Sequence, residues 1–120
     1  MILPITIKSR NVLDKFHWAK KTRLKQEYSL LIRNQMRLHK IKEVEQPNNH
    51  IIHLYILSIR SRLLDEDNLV GGCKQLIDAL CVENYIYDDA PKYTRISVQQ
   101  VRNRDIGNKD LHNTTYIRKS

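Results

Sequence analysis

Five of the aspartates carry most of the chemistry this chain could do. Asp65 and Asp67 flank Glu66 in the run Asp65-Glu66-Asp67-Asn68, Asp78 follows, and Asp88 and Asp89 adjoin one another. Neighbouring carboxylates repel, and a divalent cation relieves the repulsion. All-oxygen ligand sets of this kind suit Mg²⁺ or Mn²⁺. If the extended backbone of the preceding apolar run persists, Asp65 and Asp67 share one face and Glu66 points away. Each fragment also has a plain reading. Asp67 or Asn68 could cap a helix, Asp88-Asp89 before Ala90-Pro91 could be a turn, and Lys74 with Asp78 could be an exposed pair worth about 0.2–0.5 kcal/mol.

The elements that must position these acids follow from periodicity. Residues 2–8 predict a first strand, with Leu3, Ile5 and Ile7 on one face and Pro4 favouring a sheet edge. Ser9 to Asp14 is a connection. Residues 17–40 predict a long helix whose stripe is Leu24, Tyr28, Leu31, Ile32 and Leu38. After a turn at Glu43 to Asn49, residues 50–60 are apolar on both faces and predict a central strand. Residues 69–82 predict a second helix, with Leu69, Cys73, Leu76, Ile77 and Leu80 facing the core. Lys74 and Asp78 lie opposite, and one turn back the same stripe holds Gly71 and Asp67. Residues 93–102 predict a strand, Asp105 to Asn113 a polar loop, and 114–118 a last strand. The order is βαβαββ: an α+β domain with a small mixed sheet and two helices, a single domain over 1–120.

Charge is divided along the chain. The net charge is +8, which points to a polyanionic partner, nucleic acid first among them. Residues 1–62 hold 13 Lys/Arg against 4 Asp/Glu, whereas 63–120 hold 8 against 9. Only Glu27 lies among the cations between Lys15 and Lys40, so like charges on the long helix want an outside counter-charge. Cys73 and Cys81 stand too far apart on one helix to bridge and read as reduced core residues of a cytoplasmic protein. No apolar run approaches the roughly 18 residues of a membrane span.

The run Asp65-Glu66-Asp67-Asn68-Leu69, then Lys74 with Asp78-Ala79-Leu80, then Asp88-Asp89, resembles the signature of RusA-type Holliday-junction resolvases. The resemblance spans residues 60–98, about a third of the chain. It implies a homodimer that binds four-way DNA junctions and cuts two strands with Mg²⁺. Asp65, Asp67 and Asp89 correspond to the family's essential acids, as metal ligands, and Lys74 to its functional lysine, a cation that stabilises transition-state charge. Asp88 and Asp78 would stand behind them as supports. Between Leu69 and Lys74 this chain has three residues more than the short form of the motif, at about Val70-Gly71-Gly72. That is close to one helical turn, so Lys74 could keep its face while moving along the axis.

On this reading Lys20, Lys21, Arg23, Lys25, Arg60 and Arg62 hold phosphates, contacts that give affinity without sequence information. Three rivals share parts of the pattern: a non-catalytic DNA-binding module, a nuclease for other branched DNA such as flaps or forks, and an inactive relic.

Overall fold

A computed structural model of the chain describes residues 1–107 and 113–120. The apolar run becomes the middle of a sheet: β2 (Ile52–Arg60) lies between two partners. On one side β3 (Thr94–Arg102) pairs parallel to it, from Ile52↔Thr94 through Arg60↔Arg102. On the other β4 (Thr114–Lys119) pairs antiparallel, and β1 (Ile2–Leu3) pairs antiparallel outside β4. The order β1-β4-β2-β3 is the mixed sheet expected of an α+β domain. β1 is far shorter than the 2–8 expected. Pro4 ends the ladder, because it has no N–H to donate.

The helices cover one sheet face. α2 (Trp18–Leu38) buries Leu24, Tyr28, Ile32 and Met36 against Leu54, Ile56 and Ile117, so Met36 replaces Leu38 in the stripe, and Leu38 is exposed. The stretch from Ser9 to Asp14 is more than a connection. Arg10–Asp14 forms a short helix, α1, capped by Ser9, whose Oγ accepts from the Val12 N–H at 3.2 Å. The second helix begins earlier than residue 69 and is broken. α3 (Glu66–Gly72) and α4 (Lys74–Val82) meet at Cys73. Together they return the chain from the end of β2 to the start of β3, the long crossover that a parallel pair requires.

Gly71 and Gly72 are where α3 meets the N-terminal segment. A Cβ on Gly72 would lie 1.9 Å from the Lys8 carbonyl oxygen, and one on Gly71 would lie 2.5 Å from the Arg10 side chain. The space beside Gly71 is therefore filled by arginine methylenes. Asn103–Ile106 form a 3₁₀ turn after β3, and Gly107 is left-handed at φ 70°. Residues 108–112 of the expected polar loop lie outside the described residues.

The opposite sheet face carries His53, Tyr55, Leu57, Ser97, Gln99, Tyr116 and Arg118, half-buried or exposed. A depression of 530 Å³ on this face is lined by Tyr55, Leu57, Ser97, Gln99 and Tyr116 among others and by none of the acids. Among the described residues, no helix is long and apolar enough to cross a membrane.

Candidate functional site

Asp65 closes the extended chain and opens α3. Its φ and ψ are −67° and 162°, and its Oδ1 accepts from the Asn68 N–H at 2.8 Å. Asn68 Nδ2 donates to Asp65 Oδ2 at 3.0 Å, and Asn68 Oδ1 accepts from the Asn11 N–H at 3.0 Å. The cap is thus Asp65, not Asp67 or Asn68. Glu66 and Asp67 occupy the first helical turn, where the helix dipole favours negative charge. Asp65 and Asp67 therefore do not alternate along a strand. All three carboxylates are exposed, and the Asp67 side chain makes no ion pair among the described residues.

The cap is anchored from the sheet. The Gln100 amide accepts from the Leu64 N–H at 2.9 Å and donates to the Leu64 carbonyl at 2.6 Å, so Asp65 follows a residue tied to the far end of β3.

The second acidic pair sits at the other end. The Thr94 hydroxyl, at the start of β3, donates to the Asp88 carbonyl at 2.6 Å, and Asp88 Oδ1 accepts from the Asp89 N–H at 2.7 Å. Thr94 and Gln100 are six residues apart on one strand, about 20 Å. Within one chain Asp89 therefore does not join Asp65 and Asp67. Among the described residues, the group of three ligands that does converge is Cys81, Asp88 and Asp89, with ligand atoms within 4.8 Å of one another.

Burial raises the Asp89 carboxyl above the ordinary range, and Asp88 and then Asp78 add to the rise. Cys81 is pushed up to about 11 by burial first, then by Asp89, Asp88 and Asp78. Asp78 thus belongs electrostatically with the later pair. Its expected partner Lys74 is exposed and forms no ion pair with it. Cys81, read from sequence as a core residue, was findable: it stands one turn after Asp78 on the helix that leads to Asp88. A thiol is a soft donor and a poor ligand for a hard cation, so the donor set fitting Mg²⁺ is the carboxylates. They do not assemble in one chain.

The cations also sort by end. Arg33 is bidentate to Glu83 at 2.8 and 3.1 Å, tying α2 to the last turn of α4. Lys20, thirteen residues earlier, lies about 20 Å back along the axis, toward α3. Lys8, Phe16, Lys20 and Arg23 border one shallow depression, and Lys8 itself abuts Gly72. Lys20 Nζ stands 4.1 Å from the Phe16 ring centroid. Among the described residues, Lys20, Lys21, Arg23, Lys25 and Arg62 make no ion pair.

Arg60 has another task. Its guanidinium donates to the Ile7 carbonyl at 2.8 Å and the Arg62 carbonyl at 2.6 Å, and burial lowers its pKa. It holds the N-terminal segment to β2. Lys8, which the sequence reading passed over, stands with the cations, and Trp18, at the start of α2, is 72% exposed. Comparison with protein-family models, curated proteins and solved structures gives no match.

Proposed function

We propose that this chain is a structure-specific endodeoxyribonuclease for branched DNA, four-way junctions above all, working as a homodimer. Asp65 and Asp67 of one copy and Asp89 of the other would hold Mg²⁺, or Mn²⁺ in its place. Such an ion, when bound, supplies an activated water and neutralises charge on the phosphoryl group. Lys74 would steady developing charge at the phosphate. Lys20, Lys21, Arg23, Lys25 and Arg62, with Lys8, would hold the backbone, and Trp18 offers a ring on which an unpaired base can stack.

The observation that carries this reading is that Lys8, Lys20 and Arg23, which make no ion pair among the described residues, border one depression, with Lys8 abutting Gly72 of the helix that the acids open. Acids beside DNA repel it unless a cation intervenes, and such a set is of little use to a protein that only binds. The separation of Asp89 from the other acids within one chain favours a rival, a non-catalytic DNA-binding module, if no second copy assembles.

A labelled four-way junction incubated with Mg²⁺ or Mn²⁺, beside flap, fork and linear substrates, separates these readings. Cleavage of the junction by the native chain, lost in Asp67→Asn while junction binding persists, is the expected result. No cleavage with either ion, or equal cleavage by the variant, removes the nuclease reading and leaves the binding module. Preference for flaps or forks keeps the chemistry and changes the substrate.

A further inference from the structure

The sheet has two edges, and among the described residues only one is protected. β1 is two residues long and is closed by Pro4. β3, at the other edge, runs nine residues without proline, and its only charges are Arg95 and Arg102, leaving Ile96 to Val101 uncharged. Among the described residues β2 is its only strand partner, so a row of backbone N–H and C=O groups faces outward along its length. A long, uncharged edge is a template for another strand, and proteins usually blunt such edges with short strands, lysines, prolines or bulges.

We propose that β3 pairs antiparallel with β3 of a second copy about a two-fold axis through Val98, joining the two sheets into one. The inference rests on the shared-acid reading above and supplies the surface that reading needs. A two-fold axis reverses the strand, so the Asp65 and Asp67 end of each chain comes beside the Asp88 and Asp89 end of the other. Stacking the open sheet faces also reverses direction, but it sets the sheets about 10 Å apart with the helices outward, which carries the acids away from one another. The β1 edge is worse placed, since the crossover bearing the acids joins β2 to β3. Pairing centred on Val98 sets Thr94 opposite Arg102 of the second copy and Arg95 opposite its Val101, so no arginine faces an arginine. Ser97, which is exposed, comes opposite the exposed Gln99 of the second copy.

That register makes the test specific. Sedimentation equilibrium is run on the full chain without metal or DNA, with thermal melting to confirm folding. The native chain is expected to be a dimer. Ser97→Glu with Gln99→Glu places carboxylates opposite one another twice and raises the dissociation constant about tenfold or more. Ser97→Lys with Gln99→Glu places opposite charges there and restores dimerisation. A monomeric native chain overturns the proposal and leaves the edge to an extended segment of another protein. A dimer that both variants leave intact, or weaken alike, overturns it too. Junction cleavage, measured separately, isolates the underlying reading. A charge-sensitive β3 dimer with no metal-dependent cleavage upholds the interface and removes the nuclease. Cleavage by a dimer indifferent to these substitutions does the reverse.

Discussion

Asp65 serves the helix and the proposed metal site at once, and two substitutions separate the tasks. Asparagine caps a helix about as well as aspartate, whereas alanine costs about 1 kcal/mol. Asp65→Asn should unfold in urea close to the native midpoint yet fail to cut a junction, while Asp65→Ala should lose cleavage and stability together. The buried weak acids foretell the alkaline limit. Burial pushes the Cys73 thiol and the Tyr28 phenol each up to about 12, from ordinary values of 9.0 and 10.0. Both are neutral in the fold, so their contribution is whole below those ordinary values and is lost as pH rises through the raised ones. The melting temperature should therefore fall between about pH 9 and 12, and Cys73→Ala should make that fall shallower.

At the scale of elements, Gly72 is the tightest contact. The backbone oxygen of Lys8 fills the space a side chain would need, so Gly72→Ala must push α3 away from the N-terminal segment. A loss of about 3 kcal/mol or more in urea unfolding is expected, with a smaller loss for Gly71→Ala, whose neighbour is the flexible Arg10 side chain. These contacts also show what the sequence could and could not say. β2 and α2 were legible because their apolar residues keep a period across many positions. α1 was not, because five residues cannot hold a helix alone. It depends on packing against α3, although the Ser9 cap was in view. The strand-like spacing of Asp65 and Asp67 misled for a related reason. Asp65 followed by two acids and Asn68 is equally a helix start, and the apolar run before it hid the change of conformation. The separation of Asp89 required the parallel register of β2 with β3, which no local pattern encodes.

For the molecule as a whole, the division of charge seen along the chain is redrawn in space, because Asp65, Glu66 and Asp67 open the helix that Lys8 abuts. Lys8, Lys20 and Arg23, which make no ion pair among the described residues, border one depression beside α3, while Asp78, Asp88 and Asp89 lie toward the start of β3. Binding to a junction should weaken steeply with salt. Lys20→Ala with Lys21→Ala should lower the slope of log affinity against log salt by about 2, as read by titration over a salt series. Arg60→Ala should lower the unfolding midpoint, since its guanidinium donates to two backbone carbonyls.

The side chain of Gln100 imitates a backbone ladder and ties Leu64, the residue before the acidic run of α3, to β3. With two copies joined along that strand, β3 becomes a ruler. Nine residues span about 30 Å, and one proposed metal site would stand at each end. That gap exceeds the width of either groove of B-form DNA, about 12 and 6 Å, so one duplex could not offer both its strands across a groove. The splayed arms of a branch could. Substrate choice would then be set by the length of a strand, with no base needing to be read.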